Sequence, residues 1–80
     1  MMIRLLAFGI VKDFFHGSAL DIELPKNPTV DILKKELNSL YPEMQKLASY
    51  MIAVNNNYAS DGDIIYPGDE IAIIPPVSGG

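Results

Sequence analysis

The last six residues of this 80-residue chain, Pro75-Pro76-Val77-Ser78-Gly79-Gly80, hold its most specific chemical group, and that group is not a side chain. A glycine pair inside a chain usually marks a turn. At the very end, after an apolar run, no later element remains for a turn to connect. The two glycines leave the α-carboxylate of Gly80 with no side chain beside it and two permissive backbone positions before it. Such a tail can thread a narrow channel and present one reactive group. The sequence therefore points to the Gly80 carboxylate as the working atom.

Other residues offer less. Asp61, Asp63, Asp69 and Glu70 are oxygen ligands in principle, but they lack the full loop pattern of a calcium site and read as turn chemistry. His16 is the only histidine, has no acid cluster or nucleophile partner in view, and reads as a loop residue. Cysteine is absent, which excludes disulfides, thiolate metal sites and a cysteine nucleophile. No glycine-rich loop leads into a helix to cradle ATP phosphates. The expectation is a chain that binds no metal or cofactor and has no turnover of its own.

Composition sets the class. Eighty residues make one small domain, and 49% hydrophobic with 20% charged residues is ordinary for a folded protein. The formal net charge of −4 argues against nucleic acid as partner, since phosphate binding needs a basic face, and suits docking onto a basic protein surface. No apolar run approaches the roughly 18 residues of a membrane helix. The apolar start at residues 1–8 lacks the basic leader of a signal sequence and reads as a first strand, so a cytoplasmic protein without a membrane partner is expected.

The elements that must carry the tail follow from periodicity. Residues 2–8 form a strand with Ile3, Leu5 and Ala7 on one face and Arg4, Leu6 and Phe8 on the other. Residues 18–24 form a half-buried strand, with Leu20, Ile22 and Leu24 opposite Asp21 and Glu23. Between them, residues 9–17 are expected to be the loop of a hairpin, with Phe14 and Phe15 tucked onto the core. Thr29 is the expected N-cap of a helix whose apolar stripe is Val30, Leu33, Leu37 and Leu40, limited by Pro42. Residues 44–50 suggest a short second helical turn. A third strand at 51–54 ends in Asn55-Asn56-Asn57, whose asparagines tolerate positive φ. Ile64 and Ile65 are expected to pair briefly. Tyr66-Pro67-Gly68-Asp69 suits a type II turn before the last strand, 70–74. Pro75-Pro76 should end the sheet. The fold class is α+β, one main helix on one face of a mixed sheet, with the apolar first and last strands side by side at its centre.

The segment Gly68-Asp69-Glu70-Ile71-Ala72-Ile73-Ile74-Pro75-Pro76-Val77-Ser78-Gly79-Gly80 closely resembles the terminus of the small subunit of molybdopterin synthase, in a family of ubiquitin-like sulfur carriers with the β-grasp fold. Ala53-Val54-Asn55 followed by Tyr58, and Pro28-Thr29-Val30 at the helix start, are similar to the family pattern. Lys12-Asp13 also fits, standing where Arg-Glu is more usual. The resemblance implies a β-grasp domain over residues 1–76 and a flexible tail over 77–80. It further implies that an activating enzyme of the ubiquitin-activating type, an adenylyltransferase, spends ATP to adenylate Gly80. A sulfur donor then makes a thiocarboxylate, which gives its sulfur to a cyclic pterin phosphate in the large synthase subunit and so builds the dithiolene that holds molybdenum or tungsten. Val77, Ser78 and Gly79 would thread the partner, and Phe8, Tyr58, Ile74, Pro75 and Pro76 would contact it. Alternatives are the sulfur carrier of thiazole synthesis for thiamine, a ubiquitin-like modifier that links Gly80 to lysines, and a passive β-grasp binding module.

Overall fold

The computed structural model describes residues 1–46 and 50–75. The tail from Pro76 to Gly80, and residues 47–49 of the expected second helical turn, lie outside the described residues. Strand β1 (Met2–Ala7) is followed by a short helix α1 (Val11–Phe15) and by β2 (Ala19–Glu23). Helix α2 (Val30–Leu40), a 3-10 helix (Pro42–Lys46), β3 (Met51–Val54), β4 (Asn57–Tyr58) and β5 (Ile71–Ile74) complete the order. The five strands form one mixed sheet in the order β2-β1-β5-β3-β4. β1 and β5 run parallel, with Leu5 opposite Ile71 and Ala7 opposite Ile73. The first and last strands are therefore adjacent, as their apolar character on both faces predicts.

Register decides which face is core. Ile3, Leu5 and Ala7 on β1, Ile71 and Ile73 on β5, and Ile52 on β3 are all buried on the side that α2 covers. Val30, Leu33 and Leu37 of α2 pack into the same cluster. Leu40 does not: it is 52% exposed, against the expected four-residue stripe. The last turn of α2 overhangs the β2 side of the sheet, where Leu40 borders a groove with Leu20 and Tyr41 rather than the core.

The α2 start is built as its residues dictate. Thr29 is the N-cap, its Oγ1 accepting from Ile32 N at 3.4 Å. The next two N–H groups are satisfied from outside the helix. Val30 N donates to Asp63 O at 3.0 Å, and Asp31 N to Asp61 O at 2.9 Å. Lys34 Nζ reaches Asp61 Oδ1 at 2.7 Å, so this lysine ties the helix to the loop that caps it. Ile64 makes its brief pairing with Thr29 itself.

Two segments differ from expectation. The connection between β1 and β2 is not an open loop but carries α1. Val11 and Phe15, one helical turn apart, are both buried, and Phe15 meets the Tyr41 ring at a centroid distance of 4.9 Å. The helix has no side-chain N-cap and five residues, so packing stabilises it where local propensity does not. His16 closes it in the left-handed region at φ 59°. The second helical turn is the 3-10 helix, which starts directly at Pro42, where fixed φ suits a first helical position.

Turn chemistry links two motifs that look separate in the sequence. Asn55 and Asn56 have φ of 52° and 70°, the two positive values of a type I′ turn between β3 and β4. Asn55 Oδ1 accepts from Glu70 N at 2.9 Å, and its Nδ2 donates to Asp69 Oδ1 at 3.1 Å. Asp69 Oδ2 accepts in turn from Tyr66 N, closing the turn in which Gly68 takes φ 87°. One asparagine thus fastens the β3–β4 hairpin to the entry of β5. Asn55→Ala should lower stability by about 1–2 kcal/mol, from two lost hydrogen bonds and a strained φ. Asn55→Gly relieves only the strain and should fall between the two in denaturant melts. Equal stability of all three proteins would refute this role.

Candidate functional site

The face of the sheet that α2 leaves bare carries the residues of opposite parity. Arg4, Leu6 and Phe8 follow β1; Ala72 and Ile74 follow β5; Met51 and Ala53 follow β3; and Tyr58 stands on β4 opposite Ala53. This face is polar at one end and apolar at the other. At the polar end Arg4 Nε donates to Asp21 Oδ1 at 3.0 Å across the β1–β2 pair. Hydrogen bonding to Asp21 raises the Arg4 pKa, and hydrogen bonding to Arg4 holds the Asp21 carboxyl below its ordinary value. Both side chains are exposed, so the pair contributes little to stability.

At the apolar end Phe8, Ala53, Tyr58, Ala72 and Ile74 line one shallow depression of about 270 Å³, with Asn56 at its edge. Phe8 is 48% exposed and Tyr58 68% exposed. The structure thus brings together three residues expected to share a contact surface, although 50 positions separate Phe8 from Tyr58. It adds Met51, 45% exposed and opposite Ile74 across the β3–β5 pair. The signal for Met51 was present in the alternation of β3: with Ile52 turned inward, Met51 and Ala53 must turn outward. An exposed apolar cluster of this kind marks a contact surface more often than an accident of composition.

The chain leaves the sheet beside that cluster. Pro75 follows Ile74 directly and is half-buried. Gly9 lies against it: a Cβ on Gly9 would stand 3.0 Å from Pro75 Cγ, and Gly9 has φ 57°. Only glycine meets both conditions without strain, and the close approach fixes where the polypeptide departs. Gly80, Gly79, Ser78, Val77 and Pro76, the expected working end and its thread, lie outside the described residues.

The remaining candidates resolve into structure. Asp63 Oδ2 accepts from Ser60 N at 2.9 Å and Asp69 Oδ2 from Tyr66 N at 2.8 Å, as turn carboxylates do. Among the described residues, no group of three or more histidines and acids is placed to hold a metal ion. No helix among the described residues is long and apolar enough to cross a membrane.

Comparison with known proteins puts this geometry in context. The model of the ThiS family matches residues 5–80, almost the whole chain. A molybdopterin synthase sulfur carrier subunit from Dictyostelium discoideum is 41% identical, over 96% of this chain and 94% of its own length. Among solved structures, SAMP1 from Haloferax volcanii superposes with a TM-score of 0.83 at 20% identity, covering all of both chains, which shows the β-grasp fold. In a complex of subunits 1 and 2 of the molybdopterin-converting factor from Helicobacter pylori, one chain is similar at 25% identity. It covers all of both chains with a TM-score of 0.70.

Proposed function

Since the chain belongs to the ThiS family, we propose that it is the sulfur carrier subunit of a molybdopterin synthase. The observation that carries this reading is the 41% identity to the Dictyostelium discoideum carrier subunit over nearly the full length of both chains. The family match also runs to Gly80, so the working carboxylate lies within the matched segment.

The chemistry asked of the tail follows from elementary reactivity. A carboxylate is ionised at pH 7 and is a poor electrophile. Attack of a Gly80 oxygen on the α-phosphorus of ATP, with pyrophosphate leaving, gives an acyl-adenylate. A sulfur nucleophile then displaces AMP and leaves a thiocarboxylate. Both steps belong to an activating enzyme, an adenylyltransferase, because this chain offers no phosphate-binding loop and no cysteine. A thread without side chains at its last two positions lets the partner's active site close around the reacting carbon and exclude the water that would hydrolyse the anhydride. The folded domain supplies position: it anchors Pro75 against Gly9 and offers the Phe8–Tyr58–Ile74 depression as the seat for the large subunit. The Helicobacter pylori complex of subunits 1 and 2 supports a partner of that kind.

Intact mass spectrometry tests the assignment. Incubated with ATP and sulfide alone, the purified carrier should keep a plain carboxylate. Addition of the activating enzyme and a sulfur donor should add the mass of sulfur replacing one oxygen, located at Gly80. Sustained release of pyrophosphate by the isolated chain, surviving further purification, would place the active site wrongly.

A further inference from the structure

The exposed apolar surface does not stop at Tyr58. On its other side the same residue lines a second cleft, of about 350 Å³, whose walls include Ile64, Tyr66, Asp63 and Asp69. Ile64 and Tyr66 are 46% and 59% exposed. Two tyrosines and an isoleucine thus stand in water beside two carboxylates. The Tyr66 backbone serves its turn through Asp69, while the Tyr66 hydroxyl enters none of the side-chain hydrogen bonds among the described residues. Folding accounts for the backbone here and leaves the ring unexplained.

Building on the carrier reading, we propose that this cleft is a second lobe of the docking surface and receives an arginine side chain of the large synthase subunit. Continuity is the first argument. Tyr58 lines both depressions, so a protein seated on Phe8 and Ile74 passes over Tyr58 and reaches the cleft. Charge is the second. Asp69 uses both carboxylate oxygens on Asn55 and Tyr66, but Asp63 uses only Oδ2, on Ser60 N. Asp63 Oδ1 has no hydrogen-bond partner among the described residues, and both residues carry negative charge into an aromatic setting. A planar guanidinium can stack on a tyrosine face while donating to a carboxylate, which a lysine ammonium does less well. The chain's net charge of −4 favours approach of such a basic surface.

Calorimetric titration with the large subunit, at low and high salt, tests the cleft. Tyr66→Ser and Asp63→Asn should each weaken binding about fivefold, while Tyr66→Phe should bind as wild type. Asparagine keeps the oxygen that accepts from Ser60 N, so Asp63→Asn removes charge without opening the turn. It should also flatten the salt dependence. Thermal melts identify folded variants, and the wild-type protein gives an independent readout: affinity that does not fall with added salt overturns the cleft. Unchanged affinity in folded Tyr66→Ser and Asp63→Asn overturns it too, while leaving the carrier reading intact. A wild-type chain that does not bind the large subunit overturns the carrier reading, and this inference with it.

Discussion

Deletion of Gly80 should abolish sulfur transfer while leaving the domain folded. Among the described residues every fully buried side chain lies at or before Ile73, and Gly80 has no side chain to contribute to a core. Thermal melts of the deletion and of wild type should therefore coincide. The chemistry is a different matter. Removing one residue withdraws the carboxylate by roughly 3.5 Å of extended chain, and misplacement by about 1 Å can cost on the order of a hundredfold in rate. Conversion of the cyclic pterin phosphate by the large subunit, supplied with activating enzyme, ATP and sulfur donor, should fall to background. Gly79→Phe should do the same for a second reason, because its side chain widens the thread and restricts its dihedrals. Normal conversion by the Gly80 deletion would sink the carrier reading.

Much of the fold was legible because β-strand alternation and turn residues agree along this chain. Ile3, Leu5 and Ala7 on one parity and Phe8 on the other fix the faces of β1 before any contact is known. Thr29, Pro67, Gly68 and the asparagines at 55 and 56 each occupy the turn or cap their chemistry favours. What escaped the sequence is what tertiary contact alone decides. Helix α1 is bounded by glycines and has no cap, so local signals read as loop; burial of Val11 and Phe15 under the sheet outweighs them. Leu40 continues the helical period but lines an open groove beside the edge strand β2, and periodicity carries no information about where a sheet ends. Asn55 shows a third limit. Its turn was readable, but its bonds to Asp69 and Glu70 join positions 14 and 15 residues away. On the outer face of the sheet, parity placed Phe8 and Ile74 outward, whereas the union of Phe8, Tyr58 and Ile74 around one depression needed the β1-β5-β3-β4 order.

That union gives the second large effect. Phe8→Ala should weaken binding of the large subunit by about 2 kcal/mol, roughly thirtyfold in Kd. The residue has the attributes of an anchor: an aromatic ring, about half exposed in the free chain, beside Ala53 and Ala72, whose small side chains leave room for a partner group to insert. It also adjoins Gly9, the residue that packs on Pro75, so a partner seated on Phe8 lies next to the point where the tail departs. Docking and delivery are thereby coupled, and the cost should appear in sulfur transfer as well as in affinity. At subsaturating large subunit the Phe8→Ala rate should drop in proportion to complex formed; at saturation it should recover, because the Gly80 carboxylate and its thread are unchanged. A Gly80 deletion would show the opposite pattern, near-normal docking with no recovery at saturation. Titration calorimetry paired with rate measurements across large-subunit concentrations separates the two. Should folded Phe8→Ala bind as wild type does, the depression is a gap in the sheet's outer surface, and the tail must find its channel without it.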